Sequence, residues 1–220
     1  MEPGDIFKKR NLSKVNFDYE ELIGRNLSNT NLKGVDLKNR DIHNADLSGT
    51  DLSEADLTNT ILFNVKLRGA NLQNTKLVNA KLWDTDLYGV DLTNRDIHNA
   101  DLSGTDLSEA DLTNTILFDV KLRGANLQNT KLVNAKLWDT DLYGVDLTNT
   151  NISGADLFYA DLRNADLRNT NLSGANLRHT NFEGATFTSI DFTNTNYDLY
   201  TLDTISKDIK LILEMQGNLW

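Results

Sequence analysis

No cysteine occurs in this chain, and histidine and proline are almost as scarce, with three residues and one. Without cysteine there is neither a disulfide framework nor a thiolate metal site. The histidines are His43, His98 and the isolated His179, and none stands at metal-ligand spacing from another. No phosphate-binding glycine loop or dinucleotide fingerprint is present. Serine and aspartate are spread so evenly that no catalytic triad can be singled out. No catalytic, metal or cofactor-binding residue is therefore expected, and the chain does not read as an enzyme. Long apolar runs are missing too, and MEPGDIFKKRN at the start lacks the apolar core of a secretion signal, so a cytoplasmic protein without membrane contact is expected. Cations are in deficit: 22 Lys and Arg against 32 Asp and Glu give a formal charge of −10. That balance disfavours direct nucleic-acid binding, which needs clustered cations, and favours basic partners.

What is abundant is repetition. From Leu12 to Tyr197 every fifth residue is apolar, 38 positions without a slip. Two residues before each stands mostly Ala, Thr or Val, as at Ala45, Thr50 and Val65, and two residues after stands mostly Asn, Gly or Asp, as at Asn44, Gly49 and Asp84. A period of five fits neither an amphipathic helix nor an alternating strand. It fits a chain that runs extended for about three residues and then turns a corner. The large and small positions, two apart, point inward together, and Gly, Asn and Asp suit the corner because they tolerate positive φ or bond their own backbone. Four such corners would close a coil of 20 residues. Coils stacked at strand spacing would build a rod of 9–10 turns, about 46 Å long.

The motif Ala45-Asp46-Leu47-Ser48-Gly49, with Ala155-Asp156-Leu157 and Ala175-Asn176-Leu177, resembles the pentapeptide-repeat family, which implies a bacterial protein. The resemblance implies an all-β fold, a right-handed quadrilateral parallel β-helix over 12–199. Residues 1–11 would cap one end and residues 200–220 the other, with a short C-terminal α-helix.

Residues 40–94 recur at 95–149 with one difference, Asn64 against Asp119. The 55-residue offset moves the copy by two coils and three sides, so its outward residues land on another face. Arg25, Arg40 and Glu20 occupy inward slots. Twenty residues separate Glu20 from Arg40 and Asp5 from Arg25, which would pair them on adjacent coils. Arg95, the copy of Arg40, has Thr75 and Thr115 at its stacking positions instead. Two outcomes are open: Arg95 is strained or turned outward, or a water or a carbonyl satisfies it.

At the C-terminal end, Ser206 or Thr204 can cap a helix and Gly217 can end it. Ile205, Ile209, Ile212 and Leu213 would share its buried face, leaving Leu211, Leu219 and Trp220 as extra apolar surface. The resemblance to the quinolone-resistance branch, where a C-terminal helix joins two rods, implies a homodimer through this end.

Outward residues sort by position within the coil. His43, Phe63 and Trp83 form one ladder, and His98, Phe118, Trp138 and Phe158 form its copy; outward aromatics in register mark candidate binding surface for a protein partner. Asp46, Asp86, Asp106, Asp146 and Asp166 form an acidic stripe interrupted by Lys66 and Asn126. Lys66, Lys76 and Lys81 make a basic band repeated at Lys121, Lys131 and Lys136. The resemblance implies two functions. One is a non-enzymatic interaction or structural scaffold; the other is an acidic DNA mimic that binds gyrase. Duplex DNA would carry about 27 charges over this length, far more than the net −10, which favours the scaffold.

Overall fold

A stack of four-sided coils accounts for nearly all of the computed structural model, which describes residues 11–12 and 22–216. The bridges between coils are all parallel, and all join residues 20 apart, from Asn11–Asn31 to Asn176–Asn196. The fold is a right-handed quadrilateral β-helix. Its four faces follow one another along the chain. The first carries Leu22 and every twentieth residue after it, the second starts at Leu27, the third at Leu32 and the fourth at Leu37.

Each element of the repeat has a physical task. The central leucine is buried, as at Leu47, Leu52 and Leu57, and stacks on its equivalents to fill the rod. Its amide donates to the next coil, as Leu27 N–H does to the Asp46 carbonyl at 2.8 Å. The Asp or Asn before it folds back on the chain: the Asp46 carboxylate accepts the Ser48 amide at 3.0 Å, and the same bond recurs on every face. The corner closes with a bond such as Thr30 N–H to the Leu27 carbonyl at 3.2 Å. Its third residue lies at positive φ, 56° at Asn29, as a type II turn requires. Most inward threonines join the core because the hydroxyl finds a carbonyl one coil back: Thr50 bonds Leu27, Thr60 bonds Leu37 and Thr115 bonds Leu92 at 2.8–2.9 Å.

The C-terminal cap consists of two helices where the sequence suggested one, α1 (Leu199–Thr204) and α2 (Lys207–Gln216). Asp198 caps α1 by accepting the Thr201 amide at 3.0 Å, and the same carboxylate accepts the His179 amide that would otherwise meet the next coil. The Thr204 hydroxyl accepts the Phe182 amide at 3.1 Å. Side-chain oxygens thus replace the missing rung and blunt the open edge. Ser206 precedes α2 and its carbonyl accepts the Lys210 amide. Leu202, Ile205 and Leu213 are buried and Ile209 packs against the same core. Ile205 lies between the helices, and Ile212 is exposed with Leu211 and Met215. Within α2 the expected shared face therefore narrows to Ile209 and Leu213, four residues apart, with Ile212 turned outward. Asp5, Glu20, Gly217, Leu219 and Trp220, with most of the expected N-terminal cap, lie outside the described residues.

One defect interrupts the stack. Among the described residues no bridge joins Asn71 to Asp91 or Lys76 to Asp96. The amides of Leu72, Leu77, Asp91 and Asp96 lack the inter-coil bonds made by their equivalents on other coils. Arg95 stands at this place. It is too large for the slot between Thr75 and Thr115, and its half-buried side chain leaves between the coils. Nη1 reaches Asn74 Oδ1 at 3.1 Å while the buried Nε has no partner. Clefts of about 400 and 490 Å³ open beside it. The first two faces stay closed here, through the Ile61–Lys81 and Lys66–Asp86 bridges. The outward-turned alternative is the one observed.

Candidate functional site: an aromatic surface on the fourth face

The duplicated ladders have identical sequences and different geometry. In the first copy the rings lie flat on one another: His43 on Phe63 at 5.0 Å and 16°, Phe63 on Trp83 at 5.8 Å and 13°. In the second, Trp138 turns edgewise to Phe118 at 83° and tilts against Phe158 at 6.4 Å. The cause is the next rung. Trp83 is followed one coil on by Ser103, whereas Trp138 is followed by Phe158, whose ring competes for the same space. Trp138 ends 45% exposed. Both histidines pair with the Asp two residues before them through Nδ1 at 2.7 Å, His43 with Asp41 and His98 with Asp96.

From Phe158 the aromatic surface continues around the corner through residues that the ladder reading did not include. Tyr159 packs edge-on against Phe158 at 4.5 Å and stacks on His179 at 4.7 Å and 8°; His179 in turn faces Tyr200 on α1 at 5.9 Å. Tyr159 and Tyr200 are 52% and 47% exposed. Tyr159 and His179 both hold φ near +60°, the left-handed region where a bulky side chain is unfavourable. Nearly every other corner uses Asn, Gly or Asp. The available signal in the sequence was that departure at the same corner of two successive coils, Tyr159 and His179.

Asp198 anchors this end, its Oδ2 lying 3.3 Å from His179 Nε2. Burial alone would raise its pKa, but the Thr201 and His179 amides, the Thr201 hydroxyl and the nearby imidazole outweigh burial and hold it below the ordinary carboxylate value. A recess of about 470 Å³ lined by Arg178, Asn196, Tyr197 and Asp198 adjoins the surface.

The acidic stripe lies along the second face. Each of its aspartates, Asp46, Asp86, Asp106, Asp146 and Asp166, accepts the amide two residues on. Asp106 also accepts from Asn126 and Asp146 from Gln128. Asp166 is paired with Arg168 at 2.6 Å, and that guanidinium holds its pKa below the ordinary range. Outward arginines lie over outward tyrosines on the first and second faces, Arg123 over Tyr143 at 4.5 Å and Arg68 over Tyr88 at 4.0 Å. Among the described residues no cluster of His, Asp and Glu is placed to hold a metal ion, and no helix is long and apolar enough to cross a membrane.

A parallel β-solenoid with a packed core and an outward aromatic surface defines the class of molecule: a repeat protein whose variable chemistry lies on its faces. The family profile for pentapeptide repeats matches residues 22–59, 55–94, 96–132, 121–157 and 160–196, and the chain belongs to the pentapeptide-repeat family. Among solved structures it is similar to HetL, a pentapeptide repeat protein involved in heterocyst differentiation regulation from the cyanobacterium Nostoc sp. strain PCC 7120. The two are 30% identical over 82% of this chain and 77% of HetL, with a TM-score of 0.45. A trypsin-treated variant of QnrB1, a plasmid-mediated fluoroquinolone resistance protein, is 18% identical over 90% of this chain and 98% of its own, with a TM-score of 0.68. No curated protein matches the chain.

Proposed function

We propose that this protein is a non-enzymatic scaffold that binds a protein partner through the aromatic surface running from Phe118 to Tyr200. The observation that carries the reading is the pair Tyr159 and His179, bulky rings kept at left-handed corners where Asn or Gly would serve the fold better. Strain retained against local preference is expected where a surface does work, and large exposed aromatics dominate binding energy at protein interfaces. Among the described residues the leucines fill the interior of the rod and the clefts found open at its surface, which supports binding over catalysis. The test is affinity capture with wild type, Phe158→Ala and Phe63→Ala. A partner retained by wild type and Phe63→Ala but lost by Phe158→Ala supports the assignment. A partner lost equally from both ladders, or retained by all three, overturns it.

The exposed Leu211, Ile212 and Met215 of α2 support a homodimer through the C-terminal end as the form in which the scaffold works. Sizing of Leu211→Asp is expected to give half the wild-type mass; a wild type that already runs as a monomer removes the dimer. The acidic gyrase-binding reading has weaker support, since the stripe's carboxylates are engaged in turn bonds and in pairs with Arg168, Gln128 and Asn126. Titration into a gyrase supercoiling reaction decides it, because salt-sensitive inhibition that is lost on neutralising the stripe would reinstate DNA mimicry.

A further inference from the structure

We infer that the partner of the aromatic surface presents arginine or lysine side chains to it, at a site centred on Trp138, Asp119 and Asp139. This inference rests on the docking role proposed above and adds the chemistry of what docks. Three observations converge on it.

The first is an unfilled pattern. Where this chain exposes a tyrosine on the first or second face, it lays its own guanidinium over the ring. Tyr88 has Arg68, and Tyr143 has both Arg123 and Arg163. Arg123 also pairs with Asp141 at 3.3 Å, so ring, cation and carboxylate form one unit. On the fourth face Arg178 lies at 6.0 Å from Phe158, but among the described residues no cation lies over Trp138 or Tyr159. Both rings are about half exposed. A partner's cation over these faces would complete the unit that the chain builds for itself elsewhere.

The second is the one difference between the copies. The corner after Phe63 is Asn64, whose amide donates to Asn44 one coil below at 2.7 Å. The corner after Phe118 is Asp119, which cannot donate and makes no side-chain hydrogen bond or ion pair among the described residues. One rung on stands Asp139, also exposed and also without a partner. Two carboxylates in register repel each other. The substitution therefore costs the fold a bond and adds a repulsion, and it falls beside the exposed ring of Trp138. Cations brought by a partner would reverse both losses.

The third is that the first copy provides a matched comparison within one molecule. Trp83 lies flat on Phe63 with its face covered, and its neighbouring corner has one carboxylate, Asp84, above the amide of Asn64. The same motif without the open ring and without the second charge is predicted not to bind.

The probe is a fluorescein-labelled 12-residue peptide of alternating arginine and serine, read by anisotropy. Its control is the peptide with citrulline for arginine, of equal shape without the charge. Saturable binding to wild type is expected, at least tenfold weaker with citrulline. Asp119→Asn/Asp139→Asn and Trp138→Leu are each expected to weaken it tenfold or more, while Asp84→Asn and Trp83→Leu leave it unchanged. The double asparagine variant is also expected to melt at or above the wild-type temperature, so weak binding cannot be ascribed to unfolding. Equal weakening by first-copy and second-copy variants would overturn the inference in favour of diffuse attraction to an acidic rod. Equal binding of the citrulline peptide, or no saturable binding, would also overturn it. If a captured partner depends on Phe158 but not on Asp119 and Asp139, the docking surface stands and its cationic partner falls.

Discussion

Replacing Arg95 by threonine should stabilise the rod, and the size of the effect can be worked from the seam. A threonine in this slot would lie between Thr75 and Thr115, both of which bond a carbonyl one coil back; by the same register its hydroxyl would reach the Leu72 carbonyl. That bond contributes about 1 kcal/mol. Removing the buried, partnerless Nε recovers about 1–3 kcal/mol. Closing the seam restores inter-coil bonds at Leu72, Leu77, Asp91 and Asp96. Leu72, Asp91 and Asp96 line the clefts in the open form, so each bond is assigned only about 0.5 kcal/mol, the low end of the usual net value. Loss of the Arg95–Asn74 bond offsets roughly 0.5–1 kcal/mol. The balance is about 3–5 kcal/mol, and in a chain of this size each kcal/mol raises Tm by about 2–4 °C. Arg95→Thr should therefore melt about 6–20 °C higher in a calorimeter. Hydrogen exchange adds a local reading. In wild type the four seam amides should exchange much faster than Leu67 N–H, which stays bonded to Asp86; in the variant they should slow to match it. Because a solenoid is held by nearest-neighbour interfaces, wild type should also show a broadened or two-step transition that sharpens in Arg95→Thr. An unchanged or lower Tm with unaltered exchange would refute the reasoning, and would mean that the guanidinium stabilises the seam that it parts.

Other perturbations probe the remaining parts. Thr140→Val removes the hydroxyl bonded to the Leu117 carbonyl at 2.9 Å and should cost about 1 kcal/mol in chemical denaturation; no loss would mean that inward threonines serve only as spacers. Asp198→Ala removes a helix cap and the acceptor for His179, and should cost about 1–2 kcal/mol. Since the folded-state pKa of Asp198 lies below its ordinary 3.8, its contribution is fully present above the unfolded-state value and is lost as pH falls through the depressed one. The Tm difference between wild type and variant should therefore be constant near neutrality and shrink in strong acid, whereas a gap that widens on acidification would contradict this. Tyr159→Gly relieves about 1–2 kcal/mol of left-handed strain and loses about as much ring packing, so Tm should move by only a few degrees while partner binding falls; a large drop in Tm would make Tyr159 a brace and not a docking residue.

The fold was legible because the five-residue period is sampled 38 times, and because each position has a local cause. Asp46 holds the Ser48 amide, Leu47 fills the core, and Gly49 takes the positive φ at the corner. Arg95 was legible for the same reason, as an intruder in a column whose neighbours were known from spacing. What depended on side chains meeting across coils was less visible. Trp83 and Trp138 have the same local sequence, and only Ser103 or Phe158 twenty residues later decides which ring lies flat. Tyr159 and His179 each look like single irregular corners until the coil brings them 4.7 Å apart. The break between α1 and α2 escaped because Ile205 fits a continuous helical stripe, while the Thr204 side chain is taken up by the Phe182 amide of the rod.

Because each pentapeptide advances the chain by a quarter turn, length and orientation are one variable in this molecule. Adding or removing five residues leaves every inward leucine inward, yet rotates everything downstream by a right angle against everything upstream. The eleven-unit copy is thus a rotation of three right angles written as sequence, and it is why the two aromatic ladders face different directions. One further pentapeptide between them would bring both onto a common line, as a bivalent edge for a single straight partner; one fewer would set them on opposite sides. A chain built this way can re-aim a finished surface without redesigning it, by a change that its core does not register.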